Sequence, residues 1–193
     1  YRNTRPIALL AQHFYPADPA SPKPHLPNST PAAETPELWT YDKPNTPTLA
    51  EIADKILRLS DRNIRKLIGI ITPVNEVREK FVDALGCANP KLDNDKPPIQ
   101  TFVSGQQETL DFLQGGIMVI NVQSCKGLEF DTVILADIDQ HRLKYDSHAL
   151  KARFYVMVSR AREHLMMLRT GFPKVDELLP TEKPSTPSIL IRK

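Results

Sequence analysis

The chain has 193 residues, of which 40% are hydrophobic and 25% are charged. That charged fraction is close to the globular average and excludes a wholly disordered chain. No stretch approaches the about 20 apolar residues of a membrane-spanning helix, and no secretory leader opens the sequence. The net charge of +2 is too small to indicate a nucleic-acid partner by itself. Two cysteines are too few for a disulfide scaffold, so we expect a cytoplasmic protein with no membrane contact.

Prolines divide the chain. Nine of the 18 prolines lie between Pro16 and Pro47, which predicts an irregular segment over about residues 16–47. A second group between Pro173 and Pro187 predicts a flexible tail over residues 171–193. We therefore expect one domain over residues 1–170. Because the sequence opens at Tyr1 rather than at methionine, we also expect a piece of a longer polypeptide.

Hydrophobic spacing predicts a strand followed by a helix after the proline-rich segment. Leu38–Tyr41 is typical of a short strand. The helix is indicated by a stripe of apolar residues at intervals of three and four: Leu49, Ile52, Ala53, Ile56 and Leu57. Its amino end is predicted either at Thr46, before a proline, or at Thr48, which forms a capping box with Glu51.

Strands and helices continue to alternate along the rest of the chain. The predicted elements are a strand over Leu67–Ile71, a helix opened by Thr72-Pro73, a strand over Ile99–Val103, a short helix over Gln106–Leu113, strands over Ile117–Asn121 and Thr132–Ala136, a helix over Ser147–Ala161 and a strand over His164–Arg169. This alternation predicts a parallel sheet with helices on both faces. Ligands of such sheets bind at the carboxyl ends of the strands. The loops after Asn121 and Ala136, and the helix before His164, are therefore the candidate site.

Two segments in these regions carry reactive side chains. In the loop Gln123–Asp131, Ser124 and Lys126 suit a phosphate group, and a glycine allows close approach of a backbone. On residue types alone, an ordinary polar loop is the more frequent explanation. In the predicted helix, Arg153 and Arg160 are seven residues apart and share a face. An arginine near a helix end suits a phosphate or a developing negative charge, although a surface ion pair is commoner.

Together the two segments resemble motifs V and VI of superfamily 1 DNA helicases of the UvrD/Rep/PcrA type. Motif V corresponds to SCKGLEFDTV at Ser124–Val133, and motif VI to YVMVSRA at Tyr155–Ala161. The YRNT of Tyr1–Thr4 is similar to motif IV after its first asparagine, and the PIQTFVSG of Pro98–Gly105 is similar to motif IVa. Four motifs in the family order make the resemblance specific.

The resemblance implies a fold and a function. Helicases of this family have a motor of two RecA-like domains with ATP and Mg between them, and the first domain carries the phosphate loop and the Mg-binding acids. No GxxxxGK[ST] pattern occurs in these 193 residues. The chain therefore resembles the second motor domain of an ATP-dependent DNA helicase, an α/β RecA-like domain. The implied partners are single-stranded DNA and an N-terminal RecA-like domain of the same polypeptide, and the fragment alone is expected to be inactive.

The resemblance also implies roles for individual residues. Arg160 matches the arginine finger and Arg2 an arginine aimed at the γ-phosphate; both would stabilise charge in phosphoryl transfer. Glu129 matches the residue that reaches the ribose, with Gly127 and Lys126 beside the nucleotide. The implied DNA-binding or coupling residues are Ser124, Gln123, Asn121, Gly105 and Ser104. Asn121 and Gln123 stand where the family usually has threonine and histidine.

An alternative class is a non-catalytic DNA- or partner-binding module of a degenerate helicase or helicase–nuclease protein. Retention of Arg2, Glu129 and Arg160 together favours the motor, because a scaffold needs none of the three. No metal site is predicted in the chain. The remaining polar and aromatic residues have structural interpretations: we expect Asp137 and Asp139 to be loop acids, His141 and His148 surface histidines, Cys125 a packed side chain, and Trp39 and Tyr41 strand aromatics rather than a base-stacking platform.

Overall fold

A parallel sheet lies between two layers of helices in the computed structural model. The structure describes residues 3–17, 23, 25–28, 33–63, 65–88, 98–102, 115–141, 146–171, 173–181 and 187–193. The predicted helix over Gln106–Leu113 lies outside the described residues, as do three candidate site residues: Arg2, Ser104 and Gly105. The predicted irregular segment over residues 16–47 is described only in part.

The described residues form seven strands and four α-helices. The strands are β1 (Glu37–Thr40), β2 (Leu67–Thr72), β3 (Ile99–Thr101), β4 (Gly116–Asn121), β5 (Phe130–Leu135), β6 (Ala161–Arg169) and β7 (Ile191–Arg192). Their order in the sheet is β3-β4-β2-β5-β6-β1-β7, and every neighbouring pair is parallel. The helices are α1 (Arg5–His13), α2 (Leu49–Asp61), α3 (Asn75–Ala88) and α4 (Ser147–Val158).

Each face of the sheet is covered by two helices. α1 packs against α4 on one face, and α2 packs against α3 on the other. The central strand β2 is buried along its whole length. Its side chains alternate between the two cores: Leu67 and Ile71 face α1 and α4, whereas Ile68 and Ile70 face α2 and α3. The predicted parallel sheet with helices on both faces is therefore confirmed.

The structure decides between the two predicted starts of the α2 helix. The Thr48 hydroxyl accepts a hydrogen bond from the Glu51 backbone N–H at 3.3 Å, and the Glu51 carboxylate accepts one from the Thr48 N–H at 2.7 Å. This is the capping box, and Thr46 is not the cap. The next helix begins at Asn75, after the predicted opening at Thr72-Pro73, because Thr72 still belongs to the β2 ladder.

Helix α1 was not predicted. It follows Thr4 and carries a proline in its first turn, which costs no helical hydrogen bond there. Ile7, Leu10 and Phe14 form its buried stripe, and the Phe14 ring stacks on Phe154 of α4 at a centroid distance of 5.2 Å. The spacing of these apolar residues is the signal that sequence reasoning missed.

The described residues of the predicted tail pack against the domain rather than extend from it. Residues 173–178 form a 3₁₀-helix, and Val175 and Leu179 are buried. Farther along, Leu190 is buried and the short strand β7 pairs with β1. Apolar side chains therefore anchor these described residues, within the segment 171–193 for which the prolines predict flexibility.

Replacement by alanine is expected to have opposite effects on stability at two glycines. A Cβ atom at Gly69 of β2 would lie 2.5 Å from Cγ of the buried Phe130 ring, whereas a Cβ at Gly86 of α3 would meet no atom within 4 Å. We expect Gly69→Ala to cost about 1–3 kcal/mol of unfolding free energy. Gly86→Ala should gain about 0.5–1 kcal/mol, because alanine favours a helix interior. Thermal unfolding of both variants checks this, and equal melting temperatures would contradict it.

Candidate functional site

The loop that carries motif V runs from the edge of the sheet formed by the carboxyl ends of the strands to the edge formed by their amino ends. Residues 122–129 connect the carboxyl end of β4 to the amino end of β5, and β2 lies between these two strands. A 3₁₀-helix over Val122–Cys125 starts the loop, and its two terminal side chains are buried. The Leu128 N–H then donates to the Cys125 carbonyl at 3.2 Å. The loop is therefore anchored in the core while its middle part is exposed.

Gly127 occupies the turn of this loop. Its φ of +84° lies in the left-handed region, and no atom lies within 4 Å of the position a Cβ would take. Glycine is therefore favoured here by backbone conformation and not by lack of space. Lys126 beside it is exposed, and Glu129 is half-buried two residues on. The turn thus exposes the Lys126 side chain and the backbone of Gly127 to solvent.

At the carboxyl edge of the sheet, Asn121 is held by two neighbours. Its carbonyl oxygen accepts a hydrogen bond from the Thr72 hydroxyl at 2.8 Å, and its amide donates to the side chain of Asn75, the first residue of α3. Gln123 is exposed, and Ser124 is half-buried in the following 3₁₀-helix. The three predicted DNA-contact residues that the structure describes therefore lie together at or just after the end of β4.

At the amino edge, Arg160 joins motif VI to motif V. Its guanidinium donates to the Leu128 carbonyl at 3.2 Å, to the Val156 carbonyl at 3.0 Å and to the Ser159 hydroxyl at 3.2 Å. The Arg160 carbonyl in turn accepts a hydrogen bond from the Phe130 N–H at 3.0 Å. These bonds bring the predicted finger next to the backbone that flanks Glu129.

The rule that ligands bind at the carboxyl ends of parallel strands led to a wrong expectation for the helix before His164. We expected that helix at the carboxyl ends of the strands, together with the loop after Asn121. The helix α4 instead starts near the carboxyl edge, after β5, and runs back to deliver Arg160 to the amino end of β6. A helix between two parallel strands must return in this way. The described nucleotide and DNA candidates therefore occupy opposite edges, connected by the crossover loop.

Asn3 is a residue that sequence reasoning did not single out. Its side-chain amide donates to the Ser159 carbonyl at 3.1 Å and to the Ala161 carbonyl at 2.6 Å. The Thr4 N–H also donates to the Arg162 carbonyl at 3.0 Å. The start of the chain is thereby fixed against the turn that contains Arg160. The only sequence signal was that Asn3 lies within the motif IV resemblance.

Asp137 and Asp139, predicted as loop acids, have separate protein partners. Asp137 is fully buried, accepts a hydrogen bond from the Tyr41 hydroxyl and pairs with the Lys80 ammonium at 3.0 Å. The Asp139 carboxylate accepts from the Thr170 hydroxyl at 2.7 Å. In the part of the chain that the structure describes, no group of three His, Cys, Asp or Glu residues is placed to hold a metal ion.

The interpretation of His141 as a surface residue is wrong. Its side chain is 3% exposed, and its ring contacts Phe154 edge-on at a centroid distance of 5.3 Å. Burial, with a smaller contribution from Arg153, lowers the pKa of His141 to about 3, so the ring is neutral at physiological pH. Cys125 is also fully buried, and burial raises the pKa of its thiol to about 11. Its thiol is therefore protonated and packed, as predicted.

Trp39 of β1 is held by charged neighbours from β1 and α2. Its indole N–H donates to the Glu37 carboxylate at 2.7 Å, and the Lys55 ammonium lies 3.9 Å from the ring centroid. Tyr41 is fully buried. These contacts agree with the interpretation of both residues as strand aromatics. A lysine lies over the Trp39 ring and Tyr41 is buried, so neither ring is open for stacking of bases.

The fold and the linked motifs define a RecA-like domain without a phosphate loop of its own. Residues 116–168, from β4 to β6, match the UvrD-like helicase C-terminal domain family. The predicted resemblance to this family is thereby confirmed over residues 116–168. No curated protein matches the sequence significantly. None of the described helices is both long and apolar enough to cross a bilayer.

Solved structures support the fold. The C-terminal domain of a possible DNA helicase from Lactobacillus plantarum WCFS1 has a TM-score of 0.63 at 18% identity, covering 100% of this chain and 98% of that one. Two more distant matches are Arterivirus nonstructural protein 10, a helicase solved with DNA (TM-score 0.39, 14% identity, 69% of this chain and 28% of that one), and the UvsW helicase of bacteriophage T4 (TM-score 0.44, 11% identity, 69% and 46%). The last two are too dissimilar to support an argument.

Proposed function

We propose that this domain is the second motor domain of an ATP-dependent DNA helicase or translocase. The observation that carries the proposal is the junction at the amino edge of the sheet. There the Arg160 guanidinium binds the Leu128 carbonyl, and the Phe130 N–H binds the Arg160 carbonyl. Two segments 32 residues apart in sequence are thereby joined into one surface. A surface ion pair, the common use of an arginine, does not explain these backbone contacts.

The residues at this edge suit the phosphate end of ATP. A planar guanidinium donates along several directions, so Arg160 can exchange its bond to Leu128 for a bond to a phosphate oxygen. Glu129 supplies an acceptor for ribose hydroxyls, and Lys126 and Gly127 of the same loop are exposed. Arg2 would add a second cation. The Mg ligands and the phosphate loop are proposed to come from an N-terminal RecA-like domain of the same polypeptide.

In this proposal Arg160 acts on charge that develops during phosphoryl transfer. Water attacks the γ-phosphorus and the bond to the oxygen of the leaving ADP breaks, so negative charge develops on the phosphate oxygens, and a guanidinium held at that point stabilises it. The backbone of Gly127 and Leu128 keeps the nucleotide sugar near Glu129. ATP with bound Mg supplies the phosphoanhydride bond that is hydrolysed. The chain alone has only one side of this site, which is why it is proposed to be inactive by itself.

The carboxyl edge is the proposed contact for single-stranded DNA. Asn121, Gln123 and Ser124 present amide and hydroxyl groups that can bind phosphate and sugar oxygens without reading base sequence. Ser104 and Gly105 are proposed for the same surface by resemblance. Because the crossover loop connects this edge to the Arg160 edge, a shift at one end of the loop moves the other. That link is the proposed coupling between ATP hydrolysis and movement on DNA.

ATP hydrolysis by the complete polypeptide tests the proposal. Turnover should require Mg, rise on addition of single-stranded DNA and be absent from this chain alone. Robust Mg-dependent turnover by the isolated chain would contradict the shared site. An intact polypeptide with DNA binding but no turnover would instead support the alternative, a non-catalytic DNA-binding module of a degenerate helicase or helicase–nuclease protein.

A further inference from the structure

We propose that Asn3 is a positioning residue for Arg160. The inference rests on the proposed function and assigns a role to a side chain outside the predicted site. The Asn3 amide donates to the carbonyls of Ser159 and Ala161, the two residues that flank Arg160 in sequence. One side chain thus fixes the backbone on both sides of the proposed finger.

The chemistry of these two bonds is unambiguous. Both partners are backbone carbonyls, which only accept hydrogen bonds, so the NH₂ end of the Asn3 amide must face them. An aspartate of the same shape has no donor at neutral pH and would place a negative charge against two carbonyl oxygens. Serine or alanine is too short to span both carbonyls. The geometry therefore requires a side-chain NH₂ group at this position.

Asn3 adds to the turn's own backbone hydrogen bonds, in which the Ser159 N–H donates to the Tyr155 carbonyl at 3.0 Å and the Arg160 N–H to the Met157 carbonyl at 3.1 Å. Residues 159 and 160 form the two-residue connection between α4 and β6. The Ser159 hydroxyl donates to the Val156 carbonyl at 2.8 Å and accepts from the Arg160 guanidinium. These bonds fix side chains, while the carbonyls of Ser159 and Ala161 are bound by Asn3 from a different part of the chain. Asn3 also lies one residue after Arg2, so the same clamp ties motif IV to motif VI.

A catalytic group displaced by about 1 Å can lose a factor of about 100 in rate. We therefore expect Asn3→Ala and Asn3→Asp to lower the kcat of DNA-stimulated ATP hydrolysis about 10- to 100-fold in the complete polypeptide. The KM for ATP should change less than about threefold, because Arg160 acts mainly in the transition state. The matched control is Gln12→Ala, which removes a half-buried amide from α1 and should leave kcat near the wild-type value.

A double-mutant cycle separates positioning from a general structural role. If Asn3 acts through Arg160, then Asn3→Ala should lower kcat by less than about twofold in an Arg160→Ala background. Equal losses in both backgrounds would overturn the inference, as would wild-type kcat in the Asn3 variants. Backbone amide exchange over residues 158–162 should also accelerate in Asn3→Ala and not in Gln12→Ala, and unchanged exchange would overturn the clamp.

The wild-type protein distinguishes this inference from the function on which it rests. A complete polypeptide with no DNA-stimulated ATP hydrolysis overturns the proposed function and the positioning role together. An active wild type whose Asn3 variants keep full kcat overturns the positioning role alone.

Discussion

Replacing Arg160 with alanine is expected to lower DNA-stimulated ATP hydrolysis by the complete polypeptide about 10³- to 10⁵-fold, the usual cost of losing an arginine finger. Nucleotide binding should be largely retained, because Arg160 is proposed to act mainly on the γ-phosphoryl group in the transition state. Steady-state hydrolysis and equilibrium binding of a fluorescent ATP analogue measure the two effects separately. Near-normal turnover in this variant would remove Arg160 from the catalytic residues.

The contacts of Arg160 require a control for disturbance of the motif V loop. Its guanidinium binds the Leu128 carbonyl, so alanine also releases that backbone. Arg160→Lys keeps the positive charge but lacks the planar fork of donors, and it should remain strongly impaired. The matched control is Arg162→Ala, two residues away, where the side chain is 56% exposed and lies 3.6 Å from Asp131. That variant should hydrolyse ATP at nearly the wild-type rate.

The sequence predicted the fold well where local chemistry and burial agree. The apolar, β-branched run of β2 is typical of a buried parallel strand, and the Thr48–Glu51 capping box was visible as a residue pair. Boundaries that depend on partners were less accurate. Strand β5 starts at Phe130, before the predicted Thr132, because the Phe130 N–H binds the Arg160 carbonyl. Such a boundary is set by a residue 30 positions away and has no local signal.

The order of the motifs indicated the candidate site residues but not the edge of the sheet at which each of them lies. Asn121 and Arg160 were expected at one edge, and only the path of α4 shows that they lie at opposite edges. The sequence also did not predict which single polar residues in loops are buried. His141 is buried because Phe154 packs against it, and Asp137 because Tyr41 and Lys80 enclose it. These contacts depend on tertiary packing, which residue spacing does not encode.

The buried Asp137 predicts the largest effect on stability. Its carboxylate is fully buried, pairs with the Lys80 ammonium at 3.0 Å and accepts hydrogen bonds from the Tyr41 hydroxyl and, at 3.0 Å, from the Gln140 amide. Asp137→Ala removes the acceptor of all three groups, so their hydrogen bonds must be replaced by water or lost. We expect a loss of about 3 kcal/mol, the lower end for a broken buried pair, because Lys80 is 31% exposed and can be rehydrated.

Thermal and denaturant unfolding measure this loss, which corresponds to a decrease in Tm of about 6–12 °C for a domain of this size. The control Asp83→Ala removes an exposed carboxylate from the same helix as Lys80 and should change stability by less than about 0.5 kcal/mol. Tyr41→Phe should cost less than Asp137→Ala, and the double variant should cost less than the sum, since the two groups share one hydrogen bond. Additive losses would show that the Tyr41–Asp137 hydrogen bond does not couple the two groups. A Tm of Asp137→Ala equal to that of Asp83→Ala would show that the buried network does not stabilise the domain.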